Sequence, residues 1–533
     1  MPTITLNKQD VMKLMGRKIP DDQLKERISM LGTDLESVDG NNITVEVFPN
    51  RPDMLTEEGF ARALSSFCNI KTGLPQYKVN ASSYRFTIDK KVKNVRPAVA
   101  AAVIKSIKMD DATIKSIMDM QEKLTVTHGR NRKKVAIGIH DLDTITFPLV
   151  YTTKPREFRF TPLDNKKEYT LNQILELHPK GKEFGYLLQE FKEFPIWLDK
   201  RGQVLSMPPI INSEETKITR STKNLFIDIT GTDKKAVEQA LNIIVANLAD
   251  RGGKIFKVNS FPDMSSMKIK IDLSYVNKML GLHLSQSEVK KLLEKMGMTL
   301  QGSTVLYPAY RTDILHPVDI IEDIAIAYGY GNFSPEIPRV STIAEESAME
   351  KMKTKFAELM LGLGITEVST YHLSNKETQT TLMNSQKECE EIINPKSAEY
   401  NALRSQLIPS LLEVLKNNKQ YEYPQKIGEL STIFTKEKIK HKEETHLAIA
   451  ITDTTANFTQ IKQILDALLR SLNIQYAVKE ADHPSFIQGR AAKVVCQGKD
   501  IAYLGELHPK VLQSFQLEMP VVALELNLSK LYS

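Results

Sequence analysis

Cysteine is scarce in this chain of 533 residues: Cys68, Cys389 and Cys496 stand far apart and are odd in number. No CxxC pair occurs, which argues against a zinc knuckle and a disulfide framework. All three are expected to be buried small apolar side chains. Long apolar runs are missing too. No stretch approaches the roughly 20 residues that span a bilayer. The opening MPTITLNKQDVMKLMG alternates polar and apolar residues and lacks the charged-then-apolar order of a secretion signal. A cytoplasmic protein with no membrane association is expected. There is no GxxxxGK(S/T) phosphate loop and no HExxH zinc motif, and the pair Gly362 and Gly364 is followed by Glu367 where a dinucleotide fingerprint needs Gly or Ala. P-loop and dehydrogenase readings therefore fit poorly. The single tryptophan, Trp197, is expected to pack rather than to stack on a base.

What is present is an ordinary folded composition, 41% apolar and 26% charged, in a chain too long for one core; three or four domains are expected. The formal charge of +6 and pI near 8.8 permit a polyanionic partner but fall short of the pI above about 9 that marks a basic nucleic-acid-binding domain.

Residues 1–78 read as a small α/β unit. A strand is expected at Thr3 to Leu6, helices at Lys8 to Met15 and Asp21 to Leu31, and a hairpin turning at Asp39-Gly40-Asn41-Asn42. Thr56 stands where a helix N-cap belongs. Residues 79–265 alternate short strands with a few helices, a mixed α+β region rich in loops, which suits a pocket. Within it, strands are expected at Ser83 to Ile88, Val99 to Ile107, Lys134 to Ile139 and Leu225 to Ile229, with helices at Ala112 to Leu124 and Asp233 to Arg251. Residues 266–343 form a compact unit: Ser285 and Glu288 have the spacing of a capping box, Val289, Leu292, Leu293 and Met296 form a helical stripe, and a helix runs from Pro317 to Tyr328. Residues 344–533 alternate helices and strands as a broad sheet backed by helices would, with one strand at Glu367 to His372.

Three constellations could carry chemistry. Asp313, Asp319, Glu322 and Asp323 lie within eleven residues, the last three on one face of the helix that starts at Pro317. Four carboxylates without His or Cys make an oxygen-only site, suited to magnesium or calcium. Acids at a helix start also complement its dipole, and spacing alone leaves both readings open. The run His128, Arg130, Arg132, Lys133 and Lys134 could neutralise phosphates or be a solvated loop before a strand. Finally, PPIINSEET (208–216) followed by LFIDITGTD (225–233) sets Asn212, Ser213, Asp228 and Thr230 against apolar runs. That could place an amide and a carboxylate beside a water, or be loop residues bonding their own backbone.

The segments NRPDMLTEEGFAR (50–62), YPAYRTDILHPVDIIEDIAIAYGYGNF (307–333), ALRSQLIPSLLEVLKNN (402–418), HPSFIQGRAA (483–492) and GELHP (505–509) resemble, in order, the beta chain of phenylalanyl-tRNA synthetase of the archaeal and eukaryotic type. The resemblance implies an α+β multidomain fold: an N-terminal α/β unit, a mixed α+β editing domain, a small helical or winged metal-binding domain, and a degenerate class II synthetase-like antiparallel sheet with helices. It implies Mg2+ on Asp313, Asp319, Glu322 and Asp323. It implies an editing pocket lined by Gln121, Arg132, Asn212 and Asp228, in which Asn212 and Asp228 serve hydrolysis and Gln121 and Arg132 bind substrate. The implied partners are tRNA(Phe) and an alpha subunit that binds ATP and phenylalanine, in an α2β2 tetramer. The tail PVVALELNLSKLYS has no arginine where an active class II site binds ATP, so no amino-acid activation is expected of this chain. The alternatives are a noncatalytic tRNA-binding and assembly scaffold with an inactive pocket, and a free-standing metal-dependent nuclease using the acidic cluster.

Overall fold

The computed structural model describes residues 2–338, 342–436 and 441–532; residues 339–341, which the expected third domain includes, lie outside it. The chain divides into two compact units, Met1–Glu336 and Ile337–Ser533, and is α+β throughout. Among the described residues no helix is long and apolar enough to cross a membrane.

The first unit opens with an antiparallel sheet in which Asn42–Glu46 lies between Thr3–Asn7 and Asp34–Asp39. Alternation buries Ile4, Leu6, Ile43 and Val45 on one face, against helices Lys8–Met15, Asp21–Met30 and Glu57–Phe67. The Thr56 hydroxyl accepts the Gly59 N–H, satisfying one of the free amides at that helix start.

Next come two five-stranded sheets. The first has the spatial order Val79–Asn80, Lys254–Lys257, Ala98–Lys105, Leu225–Gly231, Val135–Asp141. The second runs Ile211–Asn212, Val204–Met207, Glu193–Leu198, Leu149–Pro155, Phe86–Ile88. The central strands read as continuous apolar runs because both faces of the first sheet are covered. Ala100, Ala102, Ile104, Ile227 and Ile229 join one core with helices Asp111–Val126 and Lys234–Asp250. Ala101, Val103 and Phe226 point the other way, to Leu149, Tyr151, Trp197 and Leu205 of the second sheet. Trp197 is fully buried, stacked on Tyr151 and edge-on to Phe86 and Phe226. Side chains of this size contribute about 1.5–3 kcal/mol each on burial.

The unit closes with the sheet Met267–Lys270, Thr304–Tyr307, Thr299–Gln301 and helices Leu273–Leu280, Gln286–Lys295 and Pro317–Tyr328. The Ser285–Glu288 capping box forms, and Gly297 follows the helix end at φ +72°, a conformation that glycine adopts without a Cβ clash.

The second unit is built on a seven-stranded sheet in the order Thr366–Glu367, Gln425–Lys436, His441–Thr452, Val521–Asn527, Lys499–Leu507, Phe486–Cys496, Ala477–Glu480. Every pair is antiparallel except the first. Leu447, Ile449 and Ile451 pack against helices Ala348–Gly362 and Phe458–Ser471, whereas Ala448 and Ala450 face Ile408–Asn417.

Two expectations are corrected. The strand expected at Glu367 to His372 is only Thr366–Glu367, and a separate short strand follows at Leu373–Ser374. Thr370, between them, gives its N–H and hydroxyl to the buried Glu429, and its carbonyl and hydroxyl oxygens accept from Arg404, so side chains replace the ladder there. Cys389 and Cys496 are buried, but Cys68 is only half-buried, because it caps the helix Glu57–Phe67 at its outer end.

Candidate active site

A cavity of about 310 Å³ lies where the first sheet, the second sheet and the helix Asp111–Val126 meet, and Gln121, Arg132, Gly138, Ser206, Asn212 and Asp228 are among its lining. Three distant stretches of sequence are thus brought together by strand pairing and one helix.

Asp228 sits mid-strand and is 1% exposed. Its register partner on the neighbouring strand is Gly138. Side chains on one face of a strand recur every second residue, so Phe226, Asp228 and His140 share the face toward the second sheet. Gly138 lacks a side chain, and the Asp228 carboxyl leans across the gap: its Oδ1 lies 2.8 Å from His140 Nε2. The other imidazole nitrogen, Nδ1, lies 2.8 Å from the Thr216 hydroxyl. His140 and Thr216 are both buried.

Asn212 pairs through its backbone with Ser206, and its carbonyl accepts the Leu163 N–H. Its side-chain amide makes no hydrogen bond among the described residues. Gln121 donates its amide to the Ile137 carbonyl at 3.2 Å, and its own side-chain oxygen makes no hydrogen bond among the described residues. Each therefore offers the cavity a polar group not consumed by the fold.

Arg132 differs. Its guanidinium donates to the carbonyls of Pro209 and Ile210 at 3.1 and 2.8 Å, reaches Glu122 at 3.2 Å, and covers the Phe184 ring. It works as a clamp on the 208–210 loop. Arg130, Asn131 and Arg132 all take positive φ (49°, 52°, 64°), which costs a non-glycine residue about 1–2 kcal/mol. Backbone bonds from Asn131 to Val126 and from Arg132 to Thr125 hold this turn, as does the buried Arg96, which donates to the carbonyls of Arg132 and Lys133. Burial lowers the Arg96 guanidinium to about 10, its charge disfavoured further by Arg132. Elsewhere in the basic run, His128 bonds the Ala236 carbonyl and Lys134 pairs with Asp233, while Arg130 and Lys133 are exposed.

The four acidic residues are not gathered into one site. Buried Arg311 donates to both oxygens of Asp313 (2.9 and 2.7 Å) and to Asp323 (2.7 Å). Asp319 accepts the N–H groups of Leu315 and His316, both at 2.7 Å, as a helix-start cap. Glu322 is exposed. Among the described residues no group of three or more His, Cys, Asp or Glu is placed to hold a metal. Burial pushes the Asp323 carboxyl up in spite of Arg311, whereas at Asp313 burial is outweighed by the chelating Arg311 and the carboxyl falls below its usual range. As placed here, the four carboxylates do not form a shell around one cation: Arg311 lies between Asp313 and Asp323.

His140, Gly138, Thr216 and Ser206 escaped the sequence reading. The alternation in AIGIHD places Gly138 and His140 on one face of a strand, but only pairing with Leu225–Gly231 shows that this face meets Asp228.

Three sequence profiles match the chain: a B3/4 domain at residues 80–246, a tRNA synthetase B5 domain at 269–330, and the phenylalanyl tRNA synthetase beta chain CLM domain at 334–528. The phenylalanine–tRNA ligase beta subunit of Archaeoglobus fulgidus is 40% identical over 100% of this chain and 99% of its own length. The chain belongs to the phenylalanine–tRNA ligase beta-subunit family. The Pyrococcus horikoshii beta subunit is likewise 40% identical, with all of both chains covered. A crystallised N-terminal fragment of the P. horikoshii phenylalanyl-tRNA synthetase beta subunit superposes with a TM-score of 0.59 at 37% identity, covering 61% of this chain and 99% of that one.

Proposed function

We propose that this chain is the non-activating beta subunit of a cytoplasmic, ATP-dependent phenylalanine–tRNA ligase and that it hydrolyses tyrosine wrongly esterified to tRNA(Phe). ATP and phenylalanine are bound by an alpha subunit in an α2β2 tetramer. In this reading residues 1–78 are an N-terminal α/β unit, 79–265 the editing domain, 266–343 a small magnesium-binding domain and 344–533 a degenerate class II synthetase-like scaffold. The tail from Pro520 to Ser533 has no arginine for ATP.

The observation that carries the reading is the company Asp228 keeps: a buried carboxyl in a central strand, beside a cavity that also holds the side-chain amide of Asn212 and the side-chain oxygen of Gln121. At about 310 Å³ the cavity is at the small end of ligand pockets, about 300–1,000 Å³, and suits an aminoacyl group. The need for it is physical. An apolar phenylalanine pocket rejects the added tyrosine hydroxyl only by on the order of 10²-fold, so a second pocket with polar lining is required for accuracy.

Hydrolysis needs no covalent nucleophile if water is held in line with the ester carbonyl. Water oxygen bonds the carbonyl carbon, the carbon–oxygen bond to the terminal ribose breaks, and a water proton passes to the departing ribose oxygen. Asn212 and Gln121 orient the amino acid and the water, and Asp228 receives the amino group. Arg132 supports the tRNA end by fixing the 208–210 loop, with Arg130 and Lys133 exposed toward phosphate. No step is assigned to magnesium.

In the complex with the alpha subunit, Asn212→Ala and Asp228→Ala are expected to slow release of tyrosine from Tyr-tRNA(Phe) while phenylalanine charging stays intact. Wild-type deacylation by both variants would refute the assignment.

A further inference from the structure

We infer that His140 is a positioning residue for Asp228, itself oriented by Thr216; this rests on the hydrolytic reading above. The three groups form a buried chain behind the cavity wall: Thr216 hydroxyl to His140 Nδ1, 2.8 Å, and His140 Nε2 to Asp228 Oδ1, 2.8 Å. Exposures of 1%, 0% and 1% exclude bulk water from it.

The proton positions follow from the partners. Thr216 has one hydroxyl hydrogen and two acceptors within reach, His140 Nδ1 at 2.8 Å and the Leu205 carbonyl at 3.4 Å. A carboxylate oxygen accepts, which puts the hydrogen of the His140–Asp228 contact on Nε2; a neutral ring so protonated accepts the Thr216 hydroxyl at Nδ1. Thr216 thus holds the outer edge of the ring, and the ring holds Asp228 Oδ1. Asp228 Oδ2 is left for the cavity.

Packing alone does not account for the arrangement. The same face carries Phe226 beside the imidazole, ring centroids 6.3 Å apart, and an aliphatic pair in place of His140 and Asp228 would fill the space without burying polar groups. Gly138 has the same implication: a Cβ there would lie 2.3 Å from Asp228 Oδ1 and 2.7 Å from His140 Nε2. The glycine is the space in which the hydrogen bond lies.

Glutamine presents an amide nitrogen near the position of imidazole Nε2, and asparagine one near Nδ1. Single-turnover deacylation of Tyr-tRNA(Phe) is measured with the alpha–beta complex of wild type, His140→Gln, His140→Asn and Asp228→Ala, at rising enzyme concentration, with melting temperatures alongside. His140→Asn is expected to lower the saturating rate on the order of 10²-fold, the effect of displacing the ester by about 1 Å from its line with the water, with the half-saturating concentration unchanged. His140→Gln is expected to restore the rate to within several-fold of wild type even where the two variants melt alike. Equal rates for the Gln and Asn variants, while Asp228→Ala is slow, would overturn the positioning role and leave the hydrolytic reading standing. Wild-type complex that fails to release tyrosine would overturn both.

Discussion

Gly138 and Asp228 face each other as register partners across two hydrogen-bonded strands, and the carboxyl of one occupies the space where the other has no side chain. An alanine methyl at position 138 would displace either Asp228 or His140. Gly138→Ala is expected to lower tyrosine release on the order of 10²-fold and to cost about 1–3 kcal/mol of stability through overpacking. Deacylation and denaturant titration of the same preparation check both; a fully active Gly138→Ala would show that the Asp228 geometry is not needed.

Arg311 holds the buried Asp323 and the half-buried Asp313 and should be the element on which the 307–328 region depends. Arg311→Met leaves Asp313 and Asp323 without their cation, an expected loss of about 3–5 kcal/mol. The wild-type melting temperature is expected to rise when magnesium is added and to fall when it is chelated. No change with magnesium would remove these carboxylates from a metal-binding role.

Lysine cannot replace Arg132. A point-charge ammonium cannot keep the bonds to Pro209, Ile210 and Glu122 together with the stack on Phe184. Arg132→Lys is expected to raise the concentration of Tyr-tRNA(Phe) needed for half-maximal hydrolysis by roughly tenfold, an increment of about 1.4 kcal/mol. Phenylalanine charging is the control that should not change.

Burial pulls the His128 imidazole below its ordinary 6.5, against the raising effect of the Ala236 carbonyl. The unfolded chain then takes up a proton at higher pH than the folded one, so stability is full above 6.5 and declines as pH falls from there toward the folded value. His178, His372 and His483 are lowered by burial in the same direction. Acidification from about pH 7.5 to about 5.5, across the ordinary histidine range, is expected to lower the melting temperature. His128→Gln, which keeps a donor for Ala236, should flatten part of that slope; an identical slope would remove His128 from the account.

Local chemistry was legible in the chain itself. The helix from Pro317 to Tyr328, the Ser285–Glu288 box and the Thr56 cap follow from residues within one or two turns of each other, because helix hydrogen bonds and caps are short-range. Family likeness extended this to a list of pocket residues, Gln121, Arg132, Asn212 and Asp228, without saying what each touches. Tertiary structure alone decided those contacts. Strand register set Gly138 opposite Asp228 and thereby made a partner of His140, and no periodicity in either segment encodes which strand will be its neighbour. It also set Arg311 between Asp313 and Asp323, a contact made only once the helix from Pro317 has packed. Pairing across a long separation depends on the whole core being buried at once, so it is absent from any local window of sequence.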